Sequence, residues 1–276
     1  MEENARKENK LNATMKLLDP KLEVQIFNGP RMKELKNLVI KKIKQLGGGA
    51  QADVYQCAIK GVEGKFVDKT RFIYNNKDLA DTTAKSMFRE FMIAKDLIHP
   101  NIVEYKYFMK KYDPKTKNYE CHIILEQCDG LDMDSYLKQY GPPLGIDTVR
   151  SIGAQILSSL AYLHNGNILH QDLKPQNIML IKDFQVVKLI DMGVSSKLDS
   201  TRATLGAGAG TSRYMPPEQL NGRLSSKVDI WAFGCVILQL ITGNRPFHSI
   251  DNDIAATMQI FNKQNPLTFA LKNSKA

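Results

Sequence analysis

The spacing of apolar positions changes along the chain. From Leu38 the stretch LVIKKIKQL (38–46) alternates well enough to form a strand, and GGGAQADVYQCAIKG (47–61) follows as a glycine-rich turn running into a second. KFVDKTRFI (65–73) predicts a third strand. The segment 81–98 reads as a helix, with Asp81 as its cap and Met87, Phe91, Ala94 and Ile98 sharing a stripe. IVEYKYFMK (102–110) and ECHIILEQC (120–128) return to strand periodicity. After DGLDMDSYL the period becomes helical: Val149, Ile152, Ile156, Leu160 and Leu163 fall on one face of a helix closed by NGN (165–167), and IWAFGCVILQLI (230–241) fits a buried helix. Strands first and helices second predict an α+β fold in two lobes, a small sheet-rich one over about 38–126 and a larger helical one from about 129 to 276. Residues 1–37 are charged with mixed sign, carry some helical character near Met15 to Leu18, and are broken by the turn FNGPR; they are expected to be an extension.

Composition narrows this picture only at its edges. A chain of 276 residues with 43% hydrophobic positions has ample material for a core. Its longest apolar run is too short to cross a bilayer, and the N-terminus lacks the apolar stretch of a secretion signal, so no membrane span and a cytoplasmic setting are expected. Cys57, Cys121, Cys128 and Cys235 show neither C-x-x-C pairing nor a histidine at metal-ligand spacing, and are expected as reduced thiols. The net charge of +9 favours acidic partners, but the lysines are scattered and no nucleic-acid motif with interleaved aromatics occurs, so nucleic-acid binding is not indicated.

The candidate chemistry starts at ILHQDLKPQNIML (168–180), where short apolar flanks pinch a polar loop that carries His170, Gln171, Asp172, Lys174 and Asn177. Alone it is equally a surface turn organised by Pro175. The other motifs are as plain when taken singly. GGGAQADV (47–54) suits a hairpin, Lys69 an edge lysine, Glu90 a surface charge and DMG (191–193) a turn. Their common order, each on the expected kind of element, is what a phosphoryl-transfer site requires.

Together they resemble the eukaryotic protein kinase domain. FVDK stands where that family has V-A-I-K, HQDLKPQN for H-R-D-L-x-x-x-N, DMG for D-F-G and MPPE for A-P-E, with further support from IHPNIV (98–103) and SSKVDIWAFGCVILQLITGNRPF (225–247). The resemblance runs from about Leu38 to about Gln264 and implies ATP-dependent phosphoryl transfer. It implies that backbone amides from Gly47, Gly49 and Ala52 cover the phosphates, that Lys69 holds them, and that Glu90 orients Lys69. It places Mg²⁺ on Asp191 and Asn177, gives Asp172 the substrate hydroxyl proton, and sets Lys174 beside the transferring phosphate. Adenine falls to backbone groups of Glu126 to Cys128 behind Leu125, between the apolar walls of Val54, Val67 and Met179, with Asp132 placed to meet the ribose. Lys174 and GTSRYMPPE (210–218) look like the serine/threonine branch, so the implied partner is a protein substrate with a Ser or Thr hydroxyl.

Departures from the pattern leave a second reading, an inactive kinase-shaped scaffold in a larger assembly. Ala52, Asp68 and Met192 alter packing or loop flexibility without removing a group that handles charge. Gln171 replaces an arginine. The second lobe looks shortened, without the helix that in the family supplies an arginine to Glu218, and a protein partner is expected to cover the apolar surface near Ile254, Met258, Ile260 and Phe261.

Overall fold

The computed structural model describes residues 24–48, 52–141, 144–193, 195–197, 212–220, 223–250 and 252–262. The expected helical character near Met15, the loop position Gly49 and the hydroxyl-rich stretch 198–211 lie outside the described residues. Two compact units are present, one of residues 1–98 and 103–127, the other of 99–102 and 128–276.

The first unit is built on an antiparallel sheet of six strands in the order β1-β5-β6-β4-β3-β2. These are β1 (Val24–Asn28), β2 (Ile40–Gly48), β3 (Asp53–Ile59), β4 (Val62–Ile73), β5 (Tyr105–Asp113) and β6 (Asn118–Glu126). A two-residue loop joins β3 to β4, and Gly61, at φ +78°, supplies the left-handed backbone that such a tight hairpin needs. Part of the expected extension is thus a strand: β1 pairs along β5, register Phe27 to Phe108. Gly29 ends it at the one point where a Cβ would stand 2.6 Å from the Tyr105 carbonyl oxygen. Alternation in β1 sends Ile26 to the cluster of Leu38, Cys57, Phe66, Tyr107, Met109 and Ile124 on one face, and Phe27 toward Phe88 on the other, with ring centroids 4.6 Å apart.

Helix α1 (Lys77–Ala94) begins before the expected position. Asn76 caps it by accepting from the Leu79 N–H at 3.0 Å, and Asp81, expected as the cap, instead pairs with Lys110 of β5 at 3.0 Å. Met87, Phe91 and Ala94 are buried as the stripe predicts, but the helix stops at Ala94 and Ile98 is exposed.

The second unit packs α2 (Met133–Tyr140), α3 (Ile146–Asn165) and α5 (Lys227–Thr242) around one core. All five predicted stripe residues of α3 are buried. Gly243 closes α5 in the left-handed conformation, its N–H donating to the Gln239 carbonyl at 2.7 Å. Three short strands, β7 (Gly130–Asp132), β9 (Ile178–Ile181) and β10 (Val186–Leu189), form a second sheet, and β8 (Ile168–Leu169) pairs with β11 (Ser196–Lys197). Helices α4 (Pro217–Leu220) and α6 (Asp253–Phe261) complete the unit. Here one expectation changes. Ile260 is not surface but closes a small core with Phe247 and Ala256. Met258 is exposed, and the side chains of Ile254 and Phe261 lie outside the description. Arg213, almost wholly buried, donates to the carbonyls of Phe247 at 2.9 Å and Ile250 at 2.6 Å, tying α6's approach to the chain around Tyr214. Glu218 is half-buried, with no ion pair among the described residues.

Candidate active site

In the first unit, cross-strand register collects the predicted residues on one face. Val54 stands opposite Lys69, and Val67 opposite Leu125, so all four side chains share a face of the sheet. Lys69 reaches from β4 to α1 and donates to both oxygens of Glu90, at 3.0 Å each. Glu90 is buried and accepts a further hydrogen bond at 2.9 Å from the Tyr105 hydroxyl, which sequence reasoning missed. Gly47 and Gly48 end β2 against Val54 and Asp53. A Cβ at Gly47 would meet nothing within 4 Å, so protein packing does not demand its missing side chain. Ala52 is buried. Glu126 is tied to Glu104 twice, its N–H donating to the Glu104 carbonyl at 3.0 Å and its carboxylate accepting from the Glu104 N–H at 2.9 Å.

In the second unit the loop after β8 brings three predicted residues together, Asp172, Lys174 and Asn177. Lys174 Nζ donates to Asp172 Oδ2 at 2.8 Å. Asn177 Nδ2 donates to the same oxygen at 3.0 Å and to the Asp172 carbonyl at 2.8 Å. Asp172 Oδ1 is buried and has no hydrogen-bond partner among the described residues. Pro175 opens the one-turn 3₁₀ helix 175–177 that curls Asn177 back toward Asp172. The loop backbone is fixed from beneath by Asp229 of α5, fully buried, which accepts from the N–H groups of His170 at 3.0 Å and Gln171 at 2.8 Å and meets His164 Nε2 at 2.8 Å. That anchor also escaped the sequence reading, although its helix was recognised.

Asp191 has φ +64°, a left-handed backbone that an aspartate adopts at a cost, and Oδ1 accepts from the Gly193 N–H at 3.0 Å. Asp132 stands opposite Met179 across the β7–β9 pair, and its carboxylate caps α2 by accepting from the Ser135 N–H at 2.9 Å. Cys128 is half-buried just before β7, its carbonyl accepting from Gly130 at 3.1 Å.

A magnesium ion keeps several waters or phosphate oxygens and needs few protein ligands. Among the described residues no three His, Cys, Asp or Glu side chains cluster as a metal site would. The donor set nevertheless fits Mg²⁺ in an oxygen-poor protein shell. Asn177 spends its amide nitrogen on Asp172, which leaves its carbonyl oxygen, a hard donor with no bond among the described residues, available together with the carboxylate of Asp191 as a ligand type that suits Mg²⁺.

The chain's likeness to known proteins agrees with this inventory. It is 33% identical over 216 residues to Calcium-dependent protein kinase 5 of Plasmodium berghei (strain Anka), which covers 76% of this chain and 35% of that protein. It is 34% identical over 211 residues to the MAP kinase kinase skh1/pek1 of Schizosaccharomyces pombe, covering 74% and 54%. With the Serine/threonine-protein kinase PrkC of Bacillus subtilis it shares 32% over 216 residues, covering 74% and 30%. The chain therefore spans between about a third and a half of the length of these curated relatives. Residues 40–275, most of the chain, match the family described as the protein kinase domain. The chain belongs to the protein kinase domain family.

Proposed function

We propose that the chain transfers the γ-phosphate of ATP to serine or threonine hydroxyls of protein substrates. The observation that carries this reading is Asp172. One carboxylate oxygen is clamped by Lys174 and Asn177, and the other has no partner among the described residues. A carboxylate so oriented is suited to take the proton of a substrate hydroxyl, whose oxygen then bonds to the γ-phosphorus while the bond to the β,γ-bridging oxygen breaks and ADP leaves. Lys69, held by Glu90, takes the α and β phosphates, and the space at Gly47 lets the main chain approach them. Asp191 and Asn177 would hold Mg²⁺, which would neutralise phosphate charge. For the adenine, the first unit offers the apolar side chains of Val54 and Val67 and the backbone of Glu126, and the second offers Met179 and the backbone of Cys128. Asp132 meets the ribose with whatever lone pairs its capping role leaves. The serine/threonine preference rests on Lys174 and on a relative named as a serine/threonine-protein kinase.

No described helix is long and apolar enough to cross a membrane. A reducing, cytosolic setting belongs to the same proposal. Its support is that Cys57, Cys121, Cys128 and Cys235 are all free thiols.

The test is transfer of labelled γ-phosphate to a mixed serine/threonine substrate. Asp172→Asn is expected to lower the rate about a hundredfold to ten-thousandfold, the usual worth of a general base, with nucleotide affinity nearly unchanged. A wild-type chain that binds Mg–ATP but transfers nothing is a scaffold, and the proposal falls. It falls equally if Asp172→Asn keeps full activity.

A further inference from the structure

Strand β5 carries a break in its pairing with β6. Tyr105 stands opposite Leu125 and Tyr107 opposite Ile124, so Lys106 is an extra residue with no register partner on β6. In a regular strand, residues two apart share a face, and Tyr105 would then point with Tyr107 and Met109 into the cluster around Phe66 and Ile124. The bulge turns it over. Tyr105 joins Phe108 and Lys110 on the side of helix α1, which re-aims one side chain as bulges commonly do.

Those three residues grip α1 at three levels. Lys110 pairs with Asp81 in the helix's second turn at 3.0 Å. The Phe108 ring packs against Phe88 at 5.1 Å and Phe91 at 6.1 Å. The Tyr105 hydroxyl, on a side chain about 1% exposed, donates to Glu90 Oε1 at 2.9 Å, the carboxylate that also receives Lys69. On its far edge β5 is backed by β1, whose Phe27 reaches the same Phe88 ring.

We propose that Tyr105 is a positioning residue for phosphoryl transfer, its hydroxyl fixing the Glu90 carboxylate in the orientation that presents Lys69 to the nucleotide. This rests on the function proposed above. The physical reason is that a carboxylate with one partner swings about its χ angles, whereas a carboxylate gripped from a strand and a lysine together has one orientation left. A neutral O–H donor can do this without competing for the charge of Lys69, since a hydroxyl adds a hydrogen bond but no cation.

Tyr105→Phe removes one oxygen and keeps the ring in its place. It is expected to lower kcat/KM for ATP about tenfold, part of what a hydrogen bond to a charged group is worth, with the fold retained by circular dichroism. The discriminating background is Glu90→Leu, which has no acceptor. There, Tyr105→Phe should cost nothing further, because a positioning hydroxyl has nothing left to position. Affinity for a fluorescent ATP analogue with Mg²⁺ is measured alongside transfer in all four chains. A wild type that binds the analogue but transfers nothing refutes the function and leaves Tyr105 to be judged on the affinity ratios. Tyr105→Phe indistinguishable from wild type in affinity and transfer overturns the inference, as does an equal loss with and without Glu90. A wild type that binds no nucleotide overturns both.

Discussion

In the β-rich unit the charged groups meet across long stretches of chain, Lys69 with Glu90 and Tyr105, Asp68 with His122 and Lys42, each from a different strand or helix. In the helical unit Asp172, Lys174 and Asn177 come from one short loop and bond mainly to each other. The first arrangement exists only when the sheet and α1 have packed. The second is preset by a proline turn; Asp229 takes its two buried N–H groups, while Ser195 and Gln219 donate to the carbonyls of His170 and Gln171. A network whose ties are spread over several elements should weaken in steps, whereas a loop whose buried N–H groups share one charged acceptor should lose most at that carboxylate.

The largest expected effect follows. Asp229→Ala leaves two buried backbone N–H groups and His164 without their acceptor and should cost about 3–5 kcal/mol, the usual price of breaking a buried hydrogen-bonded charge, with transfer lost as the loop slackens. Urea unfolding of both chains measures it. Asp229→Asn, which keeps one acceptor oxygen, should fall between them. If instead Asp229→Ala unfolds like wild type, the loop is not hung on that residue.

The same contrast explains what the sequence could reveal. The loop chemistry was legible because its partners lie within six positions of one another and stand in a fixed order. The five-residue stripe of α3 was legible because burial on one side imposes a helical period. Tyr105 was not, because strand alternation assigns it to the wrong face and only Lys106, with no register partner on β6, corrects that. Nor was the true start of α1. Asn76 and Asp81 are both acceptable caps by residue type, and the choice was made by Lys110, a partner distant in sequence that claims Asp81. Strand β1 was missed for a related reason. Five residues with one charge-free stretch, VQIFN, read as extension until β5 offers an edge and Phe88 a contact.

A smaller effect, confined to the β-rich unit, is a pH dependence. His122 is buried beside Asp68, 3.0 Å from Nδ1, and Glu120, 3.3 Å from Nε2, with Lys42 and Lys111 on the outer sides of those carboxylates and the edge of the Phe72 ring against it. Burial pulls the imidazole down, but hydrogen bonds to the two carboxylates outweigh it, and its pKa stands above the ordinary 6.5. The folded chain therefore binds this proton more tightly than the unfolded chain. The stabilisation is complete below 6.5 and is lost as pH rises through the raised value. Glu120 has the opposite sign. Its hydrogen bond from His122 holds it below the ordinary 4.5, so its contribution is present above 4.5 and lost as pH falls through the lowered value. Unfolding free energy should thus peak in mildly acidic buffer and decline toward alkaline pH, and His122→Gln should flatten the alkaline decline. An unchanged slope in that variant would assign the titration elsewhere.

The smallest expected effect is an absence of response, and it concerns Gln171. Its backbone has φ +66°, its N–H donates to Asp229 at 2.8 Å, and its carbonyl accepts from Gln219 Nε2 at 3.0 Å, so the main chain here is held on both sides. The side-chain amide donates to the Ser196 hydroxyl, linking the loop to the strand β11 that pairs with β8. An arginine in this place pairs with a phosphate added to the segment that follows, whereas an amide is uncharged and gains little from one. The link to Ser196 needs no modification to form. Removing phosphate from Ser200, Thr201 or Thr204, which lie outside the described residues, should therefore leave the transfer rate unchanged. Gln171→Arg sharpens the test. It buries a cation at a site only 5% exposed, displaces the bond to Ser196, and should make activity depend on a phosphate it did not need before. The measurement is the rate of both chains before and after phosphatase, with mass spectrometry to confirm the sites. If wild-type activity is abolished by phosphatase and restored by rephosphorylation, the neutral link through Gln171 is not what orders this loop.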